Sequence, residues 1–216
     1  MEATLIRYSG TDEDVAKAAY VDHDRQPSVE ATTKLIEKMA TSYPQHKSPF
    51  FHCSATLEIY APMPVWHQLD RHRVGFGVNE YSRRYHTGIT EVYTPDWRYK
   101  TNSRATASHG ASLVGADRHI VDAEFEEAVQ HCMFVYDRML LKGIAPEQAR
   151  FVLPYGVYTK VVWTGTLYAW ANMCHIRQHD DVQGETKQIA EQIDALLRPV
   201  WPISFKYLVP NGGQHA

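Results

Sequence analysis

Arg71-His72-Arg73-Val74-Gly75-Phe76-Gly77-Val78-Asn79-Glu80-Tyr81-Ser82-Arg83-Arg84-Tyr85 is the densest run of chemistry in this 216-residue chain. Its fifteen residues hold four of the thirteen arginines. A guanidinium keeps its charge at any working pH, and its planar fork matches phosphate oxygens. Gly75 and Gly77 allow the backbone to approach a ligand, and Ser82 adds a hydroxyl. Phe76, Tyr81 and Tyr85, interleaved with the cations, favour a nucleotide or cofactor over a solvated basic surface. Four Arg minus one Glu gives the run a charge of +3, whereas the whole chain carries −3, so everything outside it sums to −6. That balance argues against a long nucleic acid and suits a small anionic ligand.

Working outward, residues 3–8 read as a strand, and Thr11-Asp-Glu-Asp opens a helix with a hydroxyl cap and acids that complement the helix dipole. Leu35, Ile36 and Met39 give helical spacing to a segment from about Ser28 to Ser42. Cys53, Ala55, Leu57 and Ile59 alternate with polar neighbours, the period of a strand with one wet face. Pro62 and Pro64 precede a short helix through Trp66 and Leu69. Residues 101–117 are small, polar and aperiodic, and read as a loop with the character of a lid. A long helix is expected from Ile120 to Lys142, closed by Gly143. Pro146 suits a first helical turn. Then come a strand over Val157 to Thr164, a helix from Thr166 to Arg177, and a last helix from Gly184 to Leu197 that stops before Pro199. These elements point to an α+β or mainly helical architecture, with residues 1–216 as one domain.

Arg150 and Arg177 stand in apolar surroundings, where a guanidinium needs an anion, a carboxylate or carbonyl oxygens. For either one alone, an ion pair or helix cap is the simpler reading. The three cysteines each adjoin a histidine, at His52-Cys53, His131-Cys132 and Cys174-His175. Adjacent residues diverge on a strand or a helix, so no pair is placed to chelate, and no zinc spacing is present. His175 and His179 would share a face only if their helix continued past Arg177. No metal is expected. The cysteines sit in apolar patterns and read as buried small residues. There is no phosphate-binding P-loop and no GxGxxG dinucleotide fingerprint. The N-terminus lacks signal-peptide features, and no apolar run reaches a membrane span, so a cytoplasmic location without membrane contact is expected.

The central run resembles the flavin-dependent thymidylate synthases, whose signature is Arg-His-Arg, seven or sometimes eight residues, then Ser. Here eight residues separate Arg73 from Ser82. Ser48-Pro49-Phe50-Phe51-His52 is similar to a family segment upstream, and Gln68 fits a family Gln three residues before the first Arg. Ala149-Arg150-Phe151-Val152-Leu153-Pro154 and Asn172…Arg177…Gln183-Gly184-Glu185 resemble two further segments.

The resemblance implies a twisted antiparallel β-sheet flanked by helices, and a homotetramer whose active sites draw on several subunits. It implies C5-methylation of a uracil nucleotide, with FAD as cofactor, methylenetetrahydrofolate as carbon donor and NADPH as reductant. Ser48, Arg71, His72, Arg73, Glu80, Thr166, Tyr168 and Asn172 are then the cofactor positions. Gln68, Ser82, Arg83, Arg84, Arg150 and Arg177 are the nucleotide positions, with Arg177 and Ser82 closest to catalysis. Arg177 would stabilise negative charge as the pyrimidine N3 ionises, while Arg84 and Arg150 would clamp the phosphate.

Three features depart from the family pattern. Tyr168 stands where an arginine usually meets the flavin, Arg83 replaces a small residue, and the RHR-to-Ser spacing takes its longer form. Substrate choice between dUMP and UMP therefore stays open, because a related branch, the PolB type, methylates UMP. A non-catalytic nucleotide- or RNA-binding module is the alternative from another class. It would bind nucleotide without flavin.

Overall fold

A computed structural model describes residues 1–20, 28–88, 90–101 and 110–210. Four strands form one antiparallel sheet in the order β1-β2-β4-β3. They are β1 (Glu2–Ser9), β2 (Ser54–Pro62), β3 (Phe76–Glu80) and β4 (Tyr158–Thr166). Around them run α1 (Asp12–Ala19), α2 (Val29–Thr41), α3 (Met63–Leu69), α4 (Gly115–Leu141), α5 (Pro146–Ala149), α6 (Leu167–Arg177), α7 (Gly184–Leu197) and α8 (Pro202–Leu208). Short 3₁₀ turns cover Ser48–Phe51 and Arg150–Val152. The architecture is thus α+β, as the resemblance implies.

The period-two pattern of β2 sets the register. Leu57 opposes Trp163, Ile59 opposes Val161, and Ala3 and Leu5 of β1 complete the same face. This face buries against Val15, Ile36, Trp66, Trp170, Ile193 and Trp201 from the flanking helices. On the other face the Thr56 and Thr164 hydroxyls bond at 2.9 Å, and Arg7 Nε donates to Thr56 at 3.3 Å. Thr56 is consequently buried, and the face expected to be wet is partly covered.

Trp163 lies at the centre of an aromatic cluster. Phe76 stacks on it at 4.3 Å between centroids, and Trp66 and Trp170 meet it edge-on at 5.3 and 4.8 Å. Gly165 makes room for this, since a Cβ there would stand 2.3 Å from the Phe76 ring. Phe76 in turn ties β3 to the core directly after the arginine run.

Sequence patterning missed three pieces. β3 is five residues of mixed polarity with no period of its own, and its ladder comes from the edge of β4. α8 begins at Pro202 and is anchored from outside, because the buried Asp12 carboxylate accepts from the amides of Ile203 (2.8 Å) and Ser204 (3.0 Å). α4 starts five residues earlier than Ile120, within small residues that carry no periodicity. The loop expected over 101–117 falls mostly on 102–109, which lie outside the described residues. Around that gap, Arg98 bridges to Ser112, and residues 115–117 already belong to α4. Among the described residues no helix is long and apolar enough to cross a membrane.

α4 differs from the other long helices. Tyr136 is its one buried residue, and Ile120, Phe134 and Leu141 are exposed.

Candidate active site

α3 ends at Leu69, and the chain turns through Arg71-His72-Arg73 into β3. The His72 amide donates to the Leu69 carbonyl (3.0 Å), and the Phe76 amide to that of Arg73 (3.3 Å). Gly75 makes the turn possible, with φ at +80°. A Cβ at Gly75 would also press within 3.0 Å of both the Ala169 methyl and the Thr166 hydroxyl. Gly75→Ala is therefore expected to cost about 1–2 kcal/mol from the left-handed backbone alone. The crowding adds to that cost, and a lowered denaturant midpoint at unchanged slope would register it.

Arg177, the last residue of α6, reaches this turn. Its Nε donates to His72 Nε2 at 3.0 Å and its Nη2 to the Gln68 carbonyl at 2.8 Å. The Gln68 side chain is committed to α7, donating to Gln183 and accepting from the Thr186 hydroxyl. Burial, and then the charge of Arg71, push the Arg177 guanidinium below its ordinary pKa. A half-buried guanidinium that faces another cation, with carbonyl and imidazole partners in place of a carboxylate, favours an incoming anion. The fold brings Gln68 of α3, His72 of the turn and Arg177 of α6 together.

His72 accepts from Arg177, so its ring is neutral with the proton on Nδ1. Burial first, and the adjacent Arg177 second, lower its pKa from 6.5 to about 4. The unfolded chain binds a proton at His72 below about pH 6.5, whereas the folded chain resists it down to about 4. This contribution to stability is complete above pH 6.5 and fades as pH falls toward 4. Melting temperatures between pH 7 and 4.5 should decline less steeply in His72→Gln, which has no imidazole to protonate.

The second half of the run folds into a turn, with the amides of Tyr85 and His86 donating to the Ser82 carbonyl at 3.3 and 3.2 Å. Ser82 is half-buried, and Arg84 is exposed, its guanidinium 5.0 Å from the Tyr85 ring. Arg83 points the other way. It is buried at 9% exposure, donates to the Tyr158 carbonyl and lies 5.7 Å from the Tyr81 ring. Glu80 accepts from the Thr159 hydroxyl at 2.9 Å. Arg71 is exposed, Arg73 pairs with Asp70, and exposed Arg150 donates to the Glu147 carbonyl at 3.2 Å.

A second group of expected positions gathers at the start of α6. Thr166 caps the helix, accepting from the Ala169 amide at 3.2 Å. One turn on, Tyr168 and Asn172 line a cleft of about 310 Å³ with Gln45, His175 and Tyr207. Ser48 is exposed at the head of the neighbouring 3₁₀ turn. Lys47 and Gln45 escaped the reading of the sequence, since single polar residues before Pro49 carry no motif, and His175 was weighed there only beside Cys174 and His179.

α6 ends at Arg177, so His179 lies beyond it and pairs with Asp181 at 2.6 Å. Among the described residues no group of three His, Cys, Asp or Glu is placed to hold a metal. Burial raises the Cys53 thiol to about 11 and the Cys174 thiol well above its ordinary value, so neither supplies a thiolate nucleophile at neutral pH.

The α+β frame thus carries a cationic turn and a braced guanidinium, a pairing suited to a small anionic ligand. Residues 4–203 match the family described as "Thymidylate synthase complementing protein", and the chain belongs to that family, the flavin-dependent thymidylate synthases. It is 30% identical over 206 residues to the flavin-dependent thymidylate synthase of Pseudothermotoga lettingae, covering 95% of this chain and 88% of that protein. The Streptomyces coelicolor flavin-dependent thymidylate synthase is 28% identical over 222 residues, covering 96% and 90%. Crystal structures of the UMP/dUMP methylase PolB from Streptomyces cacaoi, bound with 5-Br dUMP and with 5-Br UMP, superpose with a TM-score of 0.87 each. Their sequence identities are 26% and 27%; they cover all of this chain, and this chain covers 97% and 96% of theirs. The protein is an enzyme of the methyltransferase type.

Proposed function

We propose that this single-domain enzyme methylates C5 of a uracil nucleotide, taking a methylene from methylenetetrahydrofolate and reducing it to methyl. FAD is the cofactor and NADPH its reductant. The observation that carries this reading is Arg177, braced by His72 and the Gln68 carbonyl at the mouth of the arginine turn. C5 of uracil attacks an electrophile only when the ring is electron-rich. A guanidinium fixed beside the ring stabilises the anion formed as N3 loses its proton, and no thiol needs to add at C6. Arg84 and Arg150, both exposed, would reach the nucleotide phosphate, and half-buried Ser82 would add a hydroxyl. Arg83 does not face that phosphate and instead ties the turn to β4.

The residues present suit a flavin dinucleotide. Arg71 and Arg73 offer cations for a pyrophosphate, and the cleft at Tyr168 and Asn172 offers an aromatic wall and an amide. When bound, the flavin supplies the hydride that turns methylene into methyl. Exposed Ile120, Phe134 and Leu141 on α4 support a homotetramer that covers them and builds each site from several subunits. A cytoplasmic location fits the free thiols.

dUMP is the first-choice substrate. UMP is the second reading, because PolB is described as a UMP/dUMP methylase and its structures hold a dUMP analogue in one case and a UMP analogue in the other. Purified protein incubated with FAD, methylenetetrahydrofolate, NADPH and either nucleotide should yield the C5-methylated product. Product from dUMP alone removes the ribonucleotide reading. Nucleotide binding with no flavin spectrum after FAD addition would favour a binding module instead.

A further inference from the structure

Beside the α6 cleft, one of whose walls is Tyr168, lies a contact that the arginine turn does not account for. Lys47 precedes the 3₁₀ turn at Ser48–Phe51, and its Nζ stands 5.1 Å from the centroid of the Tyr168 ring. Lys47 is exposed, and among the described residues no carboxylate forms an ion pair with it. Most exposed lysines sweep a wide volume, but this one is held over a π-face. The ring beneath it is itself fixed, because the Tyr168 hydroxyl donates to Gln45 Oε1 at 3.1 Å and Phe51 meets the ring edge-on at 5.6 Å. Tyr168 is also a wall of the 310 Å³ cleft, with Asn172 and Tyr207 nearby. A cation set over the tyrosine that walls a cleft, with an amide in the same lining, suits a ligand that is anionic at one point and planar elsewhere. α6 itself carries no cation at Tyr168, so the charge at this place comes from Lys47.

We propose that Lys47, held in place by Tyr168, is a binding residue for the phosphates of the flavin dinucleotide. This rests on the flavin reading above. The ammonium pairs with a phosphate oxygen, and the tyrosine acts by limiting where that ammonium can go. Tyr168 thus supplies, through Lys47, a charge that its own side chain lacks.

The test titrates the apoprotein with FAD, followed by quenching of flavin fluorescence, at low and at high salt. Lys47 is exposed, so Lys47→Met should leave the melting temperature unchanged. At low salt Lys47→Met should bind FAD about tenfold more weakly, the range for one charge-assisted hydrogen bond. Its affinity should also lose much of its dependence on salt. Lys47→Arg should bind as the wild type does. Tyr168→Leu should weaken FAD binding more in the wild-type background than in Lys47→Met, since only the former has an ammonium for the ring to position. FAD affinity in Lys47→Met within twofold of wild type overturns the proposal. So does a loss of equal size at both salt concentrations, which would mean lost packing. A wild-type protein that binds no FAD removes the flavin reading itself, an outcome visible before any variant is made.

Discussion

Arg177→Ala should lower kcat by two to three orders of magnitude, about 3–4 kcal/mol of transition-state stabilisation, while nucleotide Kd weakens less than tenfold. The reason is geometric. Two of the guanidinium's nitrogens are occupied by His72 Nε2 and the Gln68 carbonyl, so the group is oriented before substrate arrives. Orientation in advance means that no reorganisation is needed as charge develops on the pyrimidine. Burial and Arg71 already disfavour the cation, so an anionic ring gains more from it than a neutral ring does. The effect therefore appears in turnover more than in ground-state binding. Arg177→Lys should remain far below wild type, because an ammonium cannot serve His72, Gln68 and a planar ligand at once. Steady-state kinetics beside calorimetric nucleotide titration separate the two quantities, and unchanged turnover would refute the role assigned here.

Trp163→Ala should destabilise the fold by about 3–5 kcal/mol, the cost of emptying a fully buried aromatic site. Trp163 is 0% exposed and touches Phe76, Trp66 and Trp170, so three elements lose a shared partner. Among the described residues its buried indole nitrogen has no hydrogen-bond partner, so packing carries its contribution there. The damage should extend to function. Phe76 stacks on Trp163 from β3, three residues after Arg73, so loosening that stack loosens the arginine turn. Urea unfolding with a loss below about 1 kcal/mol would show that neighbouring side chains refill the site. Trp163→Phe should retain most of the stability, since it keeps a ring against Phe76.

Much of the frame was legible from local chemistry. The alternation of Cys53, Ala55, Leu57 and Ile59 specified β2, and the helix expected from Thr166 to Arg177 is α6, with Thr166 standing one residue outside it as the cap. β3 and α8 were not legible, because neither has a period of its own. β3 exists because β4 offers an edge ladder, and α8 because Asp12, far away in sequence, accepts from two of its first amides. The candidate site divides in the same way. The residue types of the arginine run, and their resemblance to a known signature, were open to inspection. The opposite directions of Arg83 and Arg84 were not, since adjacent side chains diverge only once a backbone conformation is set.

By itself, then, the amino-acid sequence pointed to the family through its motifs and held the concentration of positive charge in residues 71–85 of an otherwise acidic chain. Local periodicity left α+β and mainly helical architectures open, and the four-stranded antiparallel sheet decides for the first. Only the tertiary structure decided that His72 and Gln68 brace Arg177, that Arg83 turns inward to Tyr158, and that Lys47 lies over Tyr168. Arg177 and His72 are 105 residues apart, and Arg83 and Tyr158 are 75 apart. Contacts at such separations are set by how the sheet and helices pack, and no local propensity encodes them.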